Sequence, residues 1–190
     1  MVGCAGNSVG LTGRFVLSRE RLKAWQHPTM SISNAPIPST LVTAPAQAMV
    51  LAAGRGERMR PLTDTTPKPM LTVRGQPLMQ WPMQALARSG FVRQLTNTAW
   101  LGEQISAQWG ERITWPGLPE VQMTYSHEGQ DFGQALETAG GIVRALPLLD
   151  DVFWVVAGDV FAPDFVFAPE AVQRFEASAA VAHLWLVPNP

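Results

Sequence analysis

Cysteine, lysine and long apolar runs are all scarce in this chain, and each scarcity removes a class of function. The single cysteine, Cys4, excludes an internal disulfide and suits a reducing compartment, so a cytoplasmic location is expected. No stretch approaches the roughly 20 consecutive apolar residues that cross a bilayer, and no membrane partner is expected. Charged residues make up only 15% of the 190, with a formal net charge of −1 and a pI near 6.3. Such a chain has no basic face for a nucleic acid backbone, so nucleic acid is not expected as a partner. The three histidines, His27, His127 and His183, lack metal-ligand spacing. Of 14 basic residues only Lys23 and Lys68 are lysines. Where arginine is the default, a lone ammonium within the probable fold suggests a task for a point charge rather than a planar fork.

What is present is an ordinary globular composition, 46% apolar, long enough for one domain with a sizeable core. Residues 1–45 differ from the rest: scattered Gly, Ser, Pro and Arg with no sustained period. They are expected to form a disordered extension, with Met30 or Met49 as the candidate true start and the folded domain over 46–190. Their broken apolar pieces do not make a signal peptide.

From residue 49 onward, strand and helix patterns alternate. An apolar run at 49–53 stops at glycines. Residues 76–89 carry helical spacing at Leu78, Trp81, Ala85 and Leu86, with Pro82 inside, which predicts a kink or a late start. Strands are predicted at 91–98, 121–126, 152–157 and 179–187, and helices at 101–108, 137–146 and 169–177. The alternation predicts an α/β fold with a mainly parallel, Rossmann-like sheet covered by helices on both faces. In such folds ligands bind beyond the carboxyl ends of the strands.

Two strand ends single themselves out. The first empties into L-A-A-G-R-G-E-R-M-R-P-L-T-D-T-T-P-K-P-M-L at residues 51–71. Gly54 and Gly56 permit a tight turn whose N–H groups can cradle an anion. Arg55 and Arg58 follow closely, and Lys68 is fixed between Pro67 and Pro69, so preorganised cations point to a polyphosphate. The other end is Gly158-Asp159, after the apolar run 152–156. A carboxylate there suits Mg²⁺ and should meet the glycine loop on one sheet edge. Asp150, Asp151 and Asp164 are expected to be solvated loop charges.

The 51–71 run resembles the signature of the sugar-1-phosphate nucleotidyltransferases, L-A-A-G-x-G-x-R-M-x-P-L-T-x-x-x-P-K-P, and matches every fixed position. A finer similarity to the branch that makes UDP-N-acetylmuramic acid in cell-wall recycling is carried by N-T-A-W-L-G-E-Q-I at 97–105, E-G at 128–129, A-L-E-T-A-G-G-I at 135–142, A-L-P-L-L at 145–149 and A-G-D-V-F at 157–161. The resemblance implies a GT-A-like nucleotidyltransferase fold, incomplete at the C-terminus here, since family members continue past the strand at 179–187 with sugar-binding residues and a second metal-binding aspartate. It implies transfer of a uridylyl group from UTP to N-acetylmuramate α-1-phosphate. GTP with mannose-1-phosphate, dTTP or UTP with glucose-1-phosphate, and an inactive nucleotide-binding fragment remain open.

By the same resemblance, Arg58 holds the β and γ phosphates, Lys68 contacts the reacting phosphates and Asp159 holds Mg²⁺. Leu51, Ala52, Ala53, Gly54 and Gly56 present backbone to the nucleotide, and Glu128, Thr138 and Gly140 form the second wall of its pocket. Asn97 and Trp100 are placed toward the sugar. The segment 130–134 is longer than the family's usual spacing. Oligomeric state is not legible.

Two other phosphate binders fail on their own patterns. A dinucleotide-binding dehydrogenase would need glycine where Met59 stands and an acidic residue closing the strand at 91–98. A P-loop needs G-x-x-x-x-G-K-[ST], which is missing.

Overall fold

A computed structural model describes residues 14–25 and 47–185 of the chain. In chain order the elements are β1 Arg14–Ser18, α1 Arg19–Trp25, β2 Gln47–Leu51, a hairpin of β3 Thr72–Val73 and β4 Gln76–Pro77, α2 Gln80–Arg88, β5 Arg93–Thr98, α3 Gly102–Trp109, β6 Arg112–Ile113, β7 Val121–His127, α4 Glu128–Phe132, α5 Glu137–Ala145, β8 Val152–Ala157, α6 Pro169–Glu176 and β9 Ala182–Trp185. Three short 3-10 turns, Glu57–Met59, Leu62–Asp64 and Lys68–Met70, carry the chain from β2 to β3.

The main sheet has the order β6-β7-β5-β2-β8-β1-β9. β7, β5, β2 and β8 are parallel neighbours, while β6 and β1 run antiparallel to their partners. Side chains alternate across the sheet as the two-residue period requires. Ala48, Val50, Trp154 and Val156 pack on one face with Met83 and Leu86 of α2, Ile105 and Trp109 of α3, and Val172 and Phe175 of α6. Met49, Phe153 and Val155 pack on the other with Ile142 and Ala145 of α5 and Leu22 of α1. The expected α/β architecture, mostly parallel with helices on both faces, is therefore the one observed. Trp154 sits at the centre of an aromatic cluster with Phe91, Phe165, Phe167 and Trp185.

The helix predicted over 76–89 starts late. Gln76 and Pro77 pair with Val73 and Thr72 in the hairpin, and Pro82 falls in the first turn of α2. The N–H groups there have no intrahelical acceptor, so proline removes nothing.

The expectation of disorder over residues 1–45 does not hold for 14–25. β1 is an interior strand, paired along its length with β8 and over residues 14–17 with β9. Phe15 and Leu17 face one core and Val16 the other, each burial being worth roughly 1.5–3 kcal/mol. Five residues between glycine- and serine-rich stretches are too short to give a periodic signal. The rest of that expectation, residues 1–13 and 26–45, lies outside the described residues. Among the described residues no helix is long and apolar enough to cross a membrane.

On β7 the Tyr125 hydroxyl donates to Gly110 O at 2.7 Å. Burial, with a smaller contribution from the Glu111 carboxylate, pushes the phenol up to about 12.

Candidate active site

The four parallel strands β7, β5, β2 and β8 all deliver their carboxyl ends to one sheet edge, and the polar residues after them converge there. Leu51 of β2 pairs with both Asn97 of β5 and Ala157 of β8. Past the strand ends, Gly158 N–H donates to Leu51 O at 2.9 Å. A β-carbon on Gly158 would lie 2.8 Å from that same oxygen, so only glycine lets the two loops approach this closely.

The loop after β2 turns at Gly56, which is left-handed with φ +68°. A β-carbon here would press on Lys68 Cβ and Thr63 Cγ2, both at 3.0 Å, so the missing side chain lets the turn pack against the lysine segment. Gly56 O accepts from Thr63 Oγ1 at 2.9 Å. Gly54 is exposed, with nothing within 4 Å of where a β-carbon would stand, leaving room for a ligand against the backbone.

Lys68 and Asp159 meet: Nζ donates to Asp159 Oδ2 across 91 positions of sequence. Both side chains keep partial access to solvent, 27% and 33%, so either can turn to a ligand. Arg58 is exposed and has no ion-pair partner among the described residues. Arg55 is not free in this way. Its guanidinium donates to Thr63 O at 2.8 Å and Asp64 Oδ1 at 3.1 Å and lies 3.7 Å over the Trp100 ring, whose Nε1 also donates to Thr63 O at 3.0 Å. Trp100, expected toward the sugar, instead braces the glycine loop.

A second set of bonds joins the loop to the opposite wall. Ala52 N–H donates to Asn97 Oδ1 at 2.9 Å, and Asn97 Nδ2 donates to Glu128 Oε1 at 2.7 Å. Glu128 Oε2 accepts from Leu136 N–H at 2.8 Å. Glu128 is 0% exposed. A β-carbon on Gly141 of α5 would stand 2.5 Å from its Oε1, so α5 seats directly on the carboxylate. These bonds change what three expected contacts can do. Ala52 N–H and both Glu128 oxygens are engaged internally, and Asn97 is buried rather than turned to the sugar. Leu51 and Ala53 lie at the strand end beside them, and Thr138 and Gly140 sit half-buried on α5. A buried asparagine closing the strand L-T-N-T was the available sign of this linkage.

For a metal, Asp159 offers one hard carboxylate, and no group of three or more His, Cys, Asp or Glu able to hold an ion occurs among the described residues. One carboxylate suits a cation that brings its other oxygen ligands with it, as Mg²⁺ does on a polyphosphate. The edge therefore combines an open glycine bend, two cations of different kind and one carboxylate, the elements for holding a triphosphate with its divalent ion.

The model of the family described as "Nucleotidyl transferase" matches residues 47–190. An N-acetylmuramate alpha-1-phosphate uridylyltransferase of Neisseria meningitidis serogroup B is 49% identical over 146 residues, covering 76% of this chain and 60% of that protein. A protein of the same name from Caulobacter vibrioides is 35% identical, covering 57% and 43%. A UTP–glucose-1-phosphate uridylyltransferase from Synechocystis is 37% identical, covering 60% and 30%. The chain thus spans from under a third to three fifths of these relatives' length. A Bacillus anthracis crystal structure named for glucose-1-phosphate thymidylyltransferase shares the fold with a TM-score of 0.55 at 21% identity, covering 70% of this chain and 51% of that one.

Proposed function

This chain belongs to the nucleotidyl transferase family, and from that premise we propose that it carries the nucleotide-binding portion of an enzyme transferring a uridylyl group from UTP to a sugar 1-phosphate, N-acetylmuramate α-1-phosphate first. The observation that carries the reading is the convergence of the Gly54–Gly56 bend, Lys68 and Asp159 at one sheet edge. The choice of sugar rests on the 49% identity to the Neisseria protein. A cytoplasmic location is part of the same proposal, and so is a domain over 46–190 to whose sheet β1 of residues 14–18 is added.

In the reaction an oxygen of the sugar phosphate attacks the α-phosphorus of UTP, the bond from that phosphorus to the bridging oxygen breaks, and pyrophosphate leaves. The nucleophile is already an anion, so no general base is needed. The barrier lies in charge repulsion and alignment, which fixed cations lower. Lys68, released from Asp159, contacts the reacting phosphate, and Arg58 holds the β and γ phosphates through paired hydrogen bonds. Leu51, Ala53, Gly54 and Gly56 face the nucleotide with backbone, and Thr138 and Gly140 close the pocket from α5. Glu128 and Ala52 act through the hydrogen bonds that hold these two walls together. Asp159 would hold Mg²⁺, which when bound neutralises phosphate charge and polarises the α-phosphorus.

The test is direct: incubate the chain, and a version extended to the relatives' length, with UTP, N-acetylmuramate α-1-phosphate and Mg²⁺, and measure pyrophosphate and the UDP-sugar. Product from the extended version supports the assignment. Product with GTP and mannose-1-phosphate, or with glucose-1-phosphate, replaces the substrates. Thermal stabilisation by UTP without product from either version makes it a noncatalytic nucleotide-binding module.

A further inference from the structure

Lys68 and Asp159 reach each other from segments 91 positions apart, yet both segments rest on one residue, Met79, the N-cap of α2. Its N–H donates to Pro69 O at 2.9 Å, which holds the residue after the lysine. Its side chain lies beside the residue before the aspartate: a β-carbon on Gly158 would stand 3.5 Å from Met79 Cβ. Met79 is fully buried, so the core fixes the place where the two segments meet. On the lysine side the anchoring goes further. Leu78 N–H donates to Leu71 O at 2.9 Å, closing the β3–β4 hairpin. Side-chain amides then tie that hairpin to α2, Gln80 Nε2 donating to Gln76 Oε1 at 3.2 Å and Gln76 Nε2 to Gln84 Oε1 at 3.4 Å.

On the aspartate side the hold is aromatic. Phe161, two residues past Asp159, meets Trp81 of α2 with ring centroids 5.0 Å apart and an interplanar angle of 86°, the edge-to-face arrangement that ring quadrupoles favour. Trp81 Nε1 donates to Val73 O in the hairpin at 3.3 Å, so its ring is fixed by the same unit that carries Lys68. Arg74 adds a contact from the hairpin turn. Its φ of +51°, followed by +83° at Gly75, gives the turn in which both central residues are left-handed, where asparagine, aspartate or glycine is the favoured first residue. An arginine there is strained, and its guanidinium stands 5.2 Å over the Phe161 ring. Phe161 and Trp81 are both half-buried, and neither packs into either hydrophobic core. The two rings join loops at the site rather than fill the interior.

We propose that Phe161 and Trp81 are positioning residues: their ring contact holds the loop after β8 on the unit that carries Lys68, and so fixes where the Asp159 carboxylate stands relative to the lysine ammonium. The meeting of the two charges needs no ligand. What it serves rests on the transferase reading above, in which Lys68 and Asp159 address one chelated triphosphate, and a fixed separation matters most where alignment and charge placement carry the rate. Without the rings both charges remain, but their spacing is no longer set.

The test reads the ion pair first and turnover second. The chain has two lysines, Lys23 and Lys68, so lysine labelled with ¹³C at the ε-carbon gives two side-chain signals, and Asp159→Asn marks where the Lys68 signal lies without its partner. Phe161→Ala should move that signal most of the way to the Asp159→Asn position and leave Lys23 in place. Phe161→Tyr, which keeps the ring, should hold it at the native position. In a version extended to the relatives' length, Phe161→Ala should lower kcat by about 10- to 100-fold, raise the Mg²⁺ concentration needed for half the maximal rate and leave KM for UTP nearly unchanged, with Phe161→Tyr restoring the rate. A Lys68 signal unmoved in Phe161→Ala, a tyrosine variant as displaced as the alanine one, or an unchanged kcat in an active enzyme overturns the proposal. If the extended native version makes no product, the transferase reading fails, and the Lys68 signal still decides whether the rings set the pair. Should Phe161→Ala not fold, Phe161→Leu, with bulk but no ring, carries the same measurements.

Discussion

At position 68 the sole ammonium of the family-matched residues 47–190 meets Asp159, a carboxylate two residues past the end of β8. Ion pairs with this much solvent access are worth about 0–1 kcal/mol, so Lys68→Ala should change stability little. In a version with turnover it should slow kcat 10²–10³-fold, about 3–4 kcal/mol, with little change in KM for UTP, and equal losses in both would remove its role in the transition state. Gly56→Ala tests the bend itself. At φ +68°, with two carbons 3.0 Å from the new methyl, urea unfolding should show a loss above about 1 kcal/mol. Tyr125 gives a pH signature. Its pKa is raised from 10.0 to about 12 in the fold, so its contribution is complete below pH 10 and is lost as pH rises toward 12. Stability measured across that window should fall, and Tyr125→Phe should flatten the slope. Single residues were legible in their placement where strand ends decide it, as with Lys68 and Asp159, which meet at one sheet edge. Arg55 was not, because a guanidinium between glycines has the same appearance in sequence whether it meets a phosphate or the Trp100 ring.

Among elements, β8 was legible to the residue because a valine-rich run bounded by Asp151 and Gly158 admits one reading. α2 was overextended because Leu78 and Trp81 keep helical spacing through a hairpin strand. β6, two residues long, leaves no pattern. The joint between β2, β5, α4 and α5 was invisible for another reason: it depends on which polar groups meet after folding. Asn97 and Glu128 there satisfy three donors with one amide oxygen and one carboxylate. Glu128→Gln cannot do this, since its NH2 must oppose either the Asn97 amide or the Leu136 N–H. A loss of about 1–3 kcal/mol, with faster exchange of the Ala52 amide, is expected. Unchanged exchange at Ala52 would mean that the joint does not hold the glycine loop.

Across the whole molecule, stability should be graded from the sheet's centre outward. β2 and β8 are flanked on both sides and covered on both faces, whereas β6 and β9 are short edges. Native-state hydrogen exchange should therefore be slowest in β2 and β8 and fastest in β6 and β9; equal rates would show that the sheet opens only as a unit. The edge bearing the site was legible as a whole because the order of elements fixes where parallel strands end. The place of β1 was not, since nothing in five residues says which two strands will accept them. The contact between Lys68 and Asp159 has a consequence for selectivity. With its opposite charges already satisfying each other, the pocket offers little to a lone anion or a lone cation, because each would strip one partner and strand the other. A guest that carries both signs together can part the pair and answer both halves at once, so a chelated triphosphate should be admitted over inorganic phosphate or free metal at equal concentration.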